Sequence, residues 1–335
     1  MRYMCQKLML AVIGLIAAVQ AIPAQERLIV TSLSPAGSPN SMFFQAWAKR
    51  VNDASQGTLK VEVRDGTALA NFGNTYVRTM DDVVQVGWVL HSLVAGKFPL
   101  SEVTNLPFMS DGHTNCSVAL WRLYKSGALD SEYKDIVPMW FGCLNQSGLH
   151  FAKPISSNVN LGGLKLRVAG RVASQLVERM GGTPISMRGG GMYEALQRGT
   201  IDGVVTSWSA FEPYKLAEVT SYHLEVPLGA SPSMFFMSRK KYDSLPPAAR
   251  KALDDASGEA QSRAFGVHIY NQGLRARTPV AASTKHKIVQ LDQAQSKTWQ
   301  DKIAPIRDNW VKEKPGRDKV LTAFQDIYSK VAAGH

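Results

Sequence analysis

The stretch Gly162–Gly203, GGLKLRVAGRVASQLVERMGGTPISMRGGGMYEALQRGTIDG, decides the fold. Its first piece, Leu164-Lys165-Leu166-Arg167-Val168, alternates like a strand. Arg167 lies among inward-facing positions and cannot shed its charge. If buried it needs an anion, yet no Asp or Glu stands within ten residues on either side of it. Its partner is therefore distant in sequence, or is a ligand that comes and goes. Ala173–Met180 reads as a helix stopped by Gly181-Gly182, Thr183–Met187 as a strand, and Met192–Arg198 as a second helix. Asp202-Gly203 closes the unit and Gly199–Thr206 gives a further strand. This βαβαβ order predicts an α/β protein with parallel strands covered by helices.

Working outward, Leu28–Leu33 and Leu59–Val63 read as strands flanking an amphipathic helix, Met42–Ala54. Ser34–Ser41 is a loop, Asn74–Met80 a helix, and Val83–Val89 an apolar strand running into Leu90-His91-Ser92. In open α/β sheets ligands bind beyond the carboxyl ends of strands. That rule marks the Ser34–Ser41 loop, the Trp88–Ser92 turn and the Thr206–Phe211 turn. Pro246-Pro247 opens a long helical stretch, Ala248 to about Arg275, and Ala281–Ala333 reads as more helix. There is no internal repeat.

Leu8–Val19 is an apolar run behind the basic Arg2 and Lys7. It fits a cleaved export signal over residues 1–24, with Ala21 or Ala24 at the cleavage point, and is too short to span a bilayer. Cys5 precedes that run, so no lipid anchor is expected. The remaining chain exceeds what one core usually holds, so two lobes are expected. Removing Arg2 and Lys7 lowers the formal charge of +11 to +9. The basic residues are scattered, which with export argues against nucleic acid. Cys116 and Cys143 would persist after export. An oxidising compartment permits a bridge, but two buried free thiols are the expectation.

The chemistry of the chain is sparse. No GxSxG, HExxH or P-loop is present. Asp81-Asp82 and Asp254-Asp255 are neighbours that point apart on a helix. The seven histidines show no ligand spacing. Gly189-Gly190-Gly191 lacks the strand–helix frame of a phosphate nest and reads as a flexible turn. A catalytic residue, a metal and a cofactor are therefore not expected.

Several pieces together resemble the extracytoplasmic solute-binding proteins of TRAP transporters, of the dicarboxylate-binding type. They are Gly163–Val168, Gly181–Pro184, Tyr193–Gln197 with Gly199, and Asp202-Gly203. Ser38–Ser41, Gly57–Val63, Leu106–Phe108 and Phe236–Leu245 extend the match across the chain in order. The resemblance implies a two-lobe periplasmic-binding-protein fold, type II-like, with a long helix bridging both lobes. Lobe I is expected over 25–146 and 232–271, and lobe II over 147–231 and 272–335, with crossovers near Ser147 and Ser231. It implies that Arg167 clamps a substrate carboxylate and that the partners are a small organic acid and a membrane-embedded TRAP permease.

Departures from the sialate-binding pattern shape the expected ligand. Ser147 replaces a second clamp arginine, Leu90 a pocket glutamate, and Thr206 an asparagine. The 2-oxo acid binders' metal-holding carboxylate is missing from Val204–Ser207. Trp208 and Trp88 can wall an apolar body; either also fits a core. The expected contacts are Arg167, Thr206, Ser207, Trp208, Phe211, Trp88, His91, Gln146 and Ser147, around an aromatic or branched monocarboxylate. A ligand sensor for a signalling receptor uses the same fold. A secreted enzyme would need a nucleophile–base pair that the sequence does not assemble.

Overall fold

The computed structural model describes residues 25–110 and 113–335. The expected signal segment lies outside the described residues. Six helices and strands open the chain: β1 (Glu26–Thr31), α1 (Pro39–Ala54), β2 (Leu59–Arg64), α2 (Thr75–Met80), β3 (Val86–Leu90) and α3 (His113–Lys125). β4 (Ile136–Cys143) and β5 (Ser147–Phe151) follow, then β6 (Lys165–Val168), α4 (Arg171–Arg179), β7 (Thr183–Ser186), α5 (Met192–Gln197) and β8 (Gly203–Ser207). The rest is β9 (Tyr222–Glu225), β10 (Pro232–Ser238), α6 (Arg239–Ser244), α7 (Pro247–Asp255), α8 (Gly258–Ala282), β11 (Lys287–Gln290), α9 (Gln293–Lys312) and α10 (Arg317–Ala332).

These strands form two sheets, and the protein has the two-lobe α/β architecture. One sheet has the order β2-β1-β3-β10-β4, the other β11-β9-β5-β8-β6-β7. The anticipated parallel pairings hold for β1 with β2 and β3, and for β6 with β7 and β8. Each sheet also takes an antiparallel strand at the crossover: β10 between β3 and β4, and β5 between β8 and β9.

The decisive stretch folds as its chemistry requires. Asp202 caps the start of β6, its carboxylate accepting from Lys165 N at 2.7 Å. Gly203 has no room for a side chain: a Cβ there would lie 2.8 Å from both the His150 carbonyl oxygen and the Phe151 ring. At α1, Ser38 accepts from Ser41 N and Pro39 sits in the first turn, so the helix starts inside the expected loop.

The crossovers at 144–146 and 226–231 lie side by side. Leu144 N donates to the Ser231 carbonyl (2.9 Å) and Ser147 N to the Gly229 carbonyl (3.0 Å). The segment 104–108 clamps them: Ala230 N donates to Thr104 O (2.8 Å) and Phe108 N to Pro227 O (2.9 Å). Gly229 has φ +90, and a Cβ would come within 2.2 Å of the Asn105 carbonyl oxygen. Leu106-Pro107-Phe108 is thus a brace for the interlobe connection.

Three predictions are corrected. The helix expected as one stretch from Ala248 breaks at Ala256-Ser257, because Gly258 takes φ +87. The C-terminal part contains β11, an edge strand beside β9, before its helices. Cys116 and Cys143 form a disulfide rather than free thiols; α3 packs on β4, which brings them together. The strand starts also move, to Val86 and Gly203.

Helix α8 joins the lobes. Its first half packs on α3 and β4, burying Phe265 and Ile269 in the cluster that holds Phe44, Trp47, Trp140 and Phe235. Its second half places Val280 with Met192, Trp208 and Phe211 in a cluster of the second lobe. α9 packs on α4, and α10 packs back on α3.

Candidate functional site

Arg167 is 7% exposed near the carboxyl end of β6. Its Nε donates to the Met187 carbonyl at 3.0 Å, where β7 has just ended. Among the described residues no carboxylate pairs with it, and its two terminal nitrogens make no hydrogen bond. Burial pulls its pKa down and the neighbouring Tyr214 phenol partly opposes this. Tyr214 itself is raised, chiefly by burial. A guanidinium held at one nitrogen and open at the other two presents the planar fork that fits a carboxylate.

The turn after β8 lies beside it. Arg167 is in register with Val204, two residues before Thr206 on the same face. Ser147 pairs with Ser207, so the crossover meets the turn directly. Ser207 Oγ and Ser209 Oγ share a hydrogen bond of 2.8 Å. Trp208 and Phe211 lie 4.4 Å apart between ring centroids, and both are nearly buried. The Trp208 indole N–H donates to Glu225 at 2.9 Å. Across the cleft, Gly73 faces Arg188: a Cβ on Gly73 would lie 3.7 Å from Arg188 Nη1.

Behind the turn runs a chain of three histidines. His150 Nε2 reaches the Thr206 carbonyl at 3.3 Å, His150 Nδ1 meets His223 Nδ1 at 3.1 Å, and His223 Nε2 meets His286 Nδ1 at 3.0 Å. The Thr206 carbonyl only accepts, so each neutral ring has one consistent tautomer, assigned from the network. Burial is the first cause lowering all three, His223 to about 4. Among the described residues no His, Cys, Asp and Glu cluster is arranged to hold a metal.

Other candidates are placed elsewhere. Gln146 is a brace: its Nε2 donates to Ser110 O (2.5 Å) and Oγ (3.1 Å), and its Oε1 accepts from Gly229 N (3.1 Å). His91 is 3% exposed and ties to the Tyr133 hydroxyl at 2.7 Å, which continues to Ser101 and Glu132. Burial lowers His91 to about 4. Trp88 packs between Phe72 and Phe265 in the first lobe's interior. The sequence reading missed Tyr214, Glu225 and Arg277, whose sequence neighbours carry no signal. A surface depression of about 590 Å³ over α1 and β2, whose lining includes Lys49, Asp53, Glu62 and Arg64, does not include Arg167.

Residues 30–314 match the family described as bacterial extracellular solute-binding protein, family 7. This chain belongs to that family. It is similar to a solute-binding protein of Chromohalobacter salexigens, 23% identical over 306 residues, spanning 89% of this chain and 88% of that one. Its fold matches a marine metagenome TRAP solute-binding protein specific for aromatic acid ligands. With 3-hydroxybenzoate bound, that structure is 26% identical, covers 91% and 98% of the two chains, and has TM-score 0.83. As a triple surface mutant with metahydroxyphenylacetate it gives 25%, 91% and 99%, and 0.83. A TRAP periplasmic solute-binding protein from Chromohalobacter salexigens with bound D-glucuronate bears on fold alone: 20% identical, covering 90% and 99% of the two chains, TM-score 0.78. The chain is thus a TRAP-type periplasmic solute-binding protein. No helix among the described residues is long and apolar enough to cross a membrane.

Proposed function

We propose that this solute-binding protein captures an organic monocarboxylate, with aromatic or branched 2-oxo and hydroxy acids favoured, and delivers it to a membrane TRAP permease. The observation that carries this reading is Arg167: a nearly buried guanidinium with no carboxylate partner among the described residues, in register with the strand that leads into Trp208 and Phe211. Arg167 takes the ligand carboxylate. Thr206, Ser207 and Ser147 offer polar contacts, and the aromatic pair walls the apolar body. The likeness at 26% identity to a protein specific for aromatic acid ligands supports this class. Trp88, His91 and Gln146 act on the site through packing and bracing.

Residues 25–146 and 232–271 form lobe I, and 147–231 with 272–335 form lobe II, α10 reaching back to α3. The braced crossovers are the hinge, and a ligand bridging both lobes favours the closed form. Residues 1–24 direct export and are cleaved. The ligand leaves chemically unchanged, and no metal takes part.

A calorimetric panel tests the ligand class. Aromatic and branched monocarboxylates should bind more tightly than succinate or sialate, and chelator should leave the affinity unchanged. Tight succinate or sialate binding with no response to any apolar monocarboxylate refutes the class. Affinity lost in chelator and restored by calcium refutes the metal-free site.

A further inference from the structure

The Trp208 indole is held from outside the proposed pocket. Its N–H donates to Glu225 Oε1 at 2.9 Å. Glu225 stands on β9, and Arg277 of α8 grips it at both oxygens, Nε to Oε1 at 2.6 Å and Nη2 to Oε2 at 3.1 Å. Gln290 of β11 approaches Oε2 at 3.5 Å. Burial pushes Glu225 up, but the bonds from Arg277 and Trp208 outweigh it and keep the carboxylate ionised. A two-point grip fixes a carboxylate's plane as well as its position. The indole is also flanked by His150 at 4.8 Å and His223 at 5.1 Å between centroids, so its ring has little freedom once the N–H is tied.

Arg277 is borne by the helix that enters both lobes' clusters. A shift of α8 is therefore passed through Arg277 and Glu225 to Trp208 without touching a ligand. We infer that Glu225, gripped by Arg277, is a positioning residue that sets the orientation of Trp208 and ties it to the interlobe helix. It thereby controls affinity for aromatic acids. This rests on the proposed pocket at Trp208. It adds the residues that aim the wall and the route by which lobe motion reaches it.

The test is a double-mutant cycle read by calorimetry with 3-hydroxybenzoate as probe, using Glu225→Leu, Trp208→Phe and the pair. Glu225→Leu should weaken binding by roughly tenfold or more, the loss of one charge-assisted hydrogen bond. In the Trp208→Phe background the same change should cost nothing further. Arg277→Met, which leaves Glu225 able to accept from the indole, should give a smaller loss that also vanishes in that background. It serves if Glu225→Leu does not fold. The Trp208 indole N–H resonance, assigned by its absence in Trp208→Phe, should move in both variants. An equal loss in both backgrounds assigns Glu225 a general structural role and overturns the inference. So does unchanged binding while Arg167→Ala abolishes it. An unsubstituted protein that takes no aromatic acid fails at the ligand class itself, and this inference falls with it.

Discussion

Two nearly buried arginines in this molecule are treated in opposite ways. Arg317, at the start of α10, is 3% exposed. Its Nη1 donates to Glu313 at 2.7 Å and to the Trp310 carbonyl at 2.9 Å, and its guanidinium lies 4.6 Å from the Trp310 ring centroid. Arg167 is 7% exposed and has one carbonyl at Nε. The difference separates a charge that holds two helices together from the charge proposed to take the ligand carboxylate. Leaving a buried guanidinium unpaired costs stability, and Arg167 bears that cost near the carboxyl end of β6. A histidine in the same predicament would simply lose its proton. Burial pushes five of the described histidines that way: His91, His150, His223, His268 and His286.

The largest effect expected follows from three of those histidines. His91, His223 and His268 are held at about 4, chiefly by burial. Their folded values lie below the unfolded value of about 6.5, so their contribution is fully present above that pH and is lost as pH falls towards 4. Each is worth up to roughly 3 kcal/mol. Thermal midpoints between pH 7 and pH 4 should fall steeply, whereas Arg167 cannot respond. A flat profile over that range would show the histidines to be solvated.

Next in size is the Cys116–Cys143 bridge, with a sequence separation of 27. Its removal by paired serines should cost about 3 kcal/mol in urea unfolding and leave ligand affinity alone, since it ties α3 to β4 away from Arg167. A matching affinity loss would mean that lobe I's interior sets the cleft. Arg317→Met should cost about 2 kcal/mol, less than a fully buried pair because Glu313 remains solvated. It too should spare binding, and an affinity loss equal to that of Arg167→Ala would erase the contrast. The smallest effect belongs to Arg171, which pairs with Glu102 at 3.3 Å and Glu313 at 2.6 Å while all three are about a third exposed. Arg171→Ala should change stability by under about 1 kcal/mol.

The local grammar of this fold was open to reading along the chain. The alternation around Arg167 and the glycine stop at Gly181-Gly182 each act within a few residues, and each appears where expected; the Ser38-Pro39 cap acts as locally but starts α1 inside the expected loop. What stayed hidden depends on strands meeting across long separations. His150, His223 and His286 are neighbours only because β11, β9 and β5 are adjacent. Glu225 reaches Trp208 and Arg277 for the same reason. The disulfide was misjudged because helix-on-strand packing, not spacing, sets the distance between Cys116 and Cys143. Trp88 lies within β3 and His91 just past its end, where the binding rule points, but their side chains turn into the lobe, which alternation alone does not reveal. Gly258 breaks the long helix through a positive φ that the apolar pattern does not encode.

The account stands most directly on Arg167, and calorimetry on Arg167→Ala and Arg167→Lys with the tightest acid from the panel tests it. The alanine variant should lose roughly 2–5 kcal/mol of binding with its thermal midpoint without ligand unchanged or raised. Lysine should recover only part of the loss, because a point charge lacks the fork. Unchanged affinity in Arg167→Ala, or a collapse of the ligand-free fold like that expected for a structural ion pair, would contradict it.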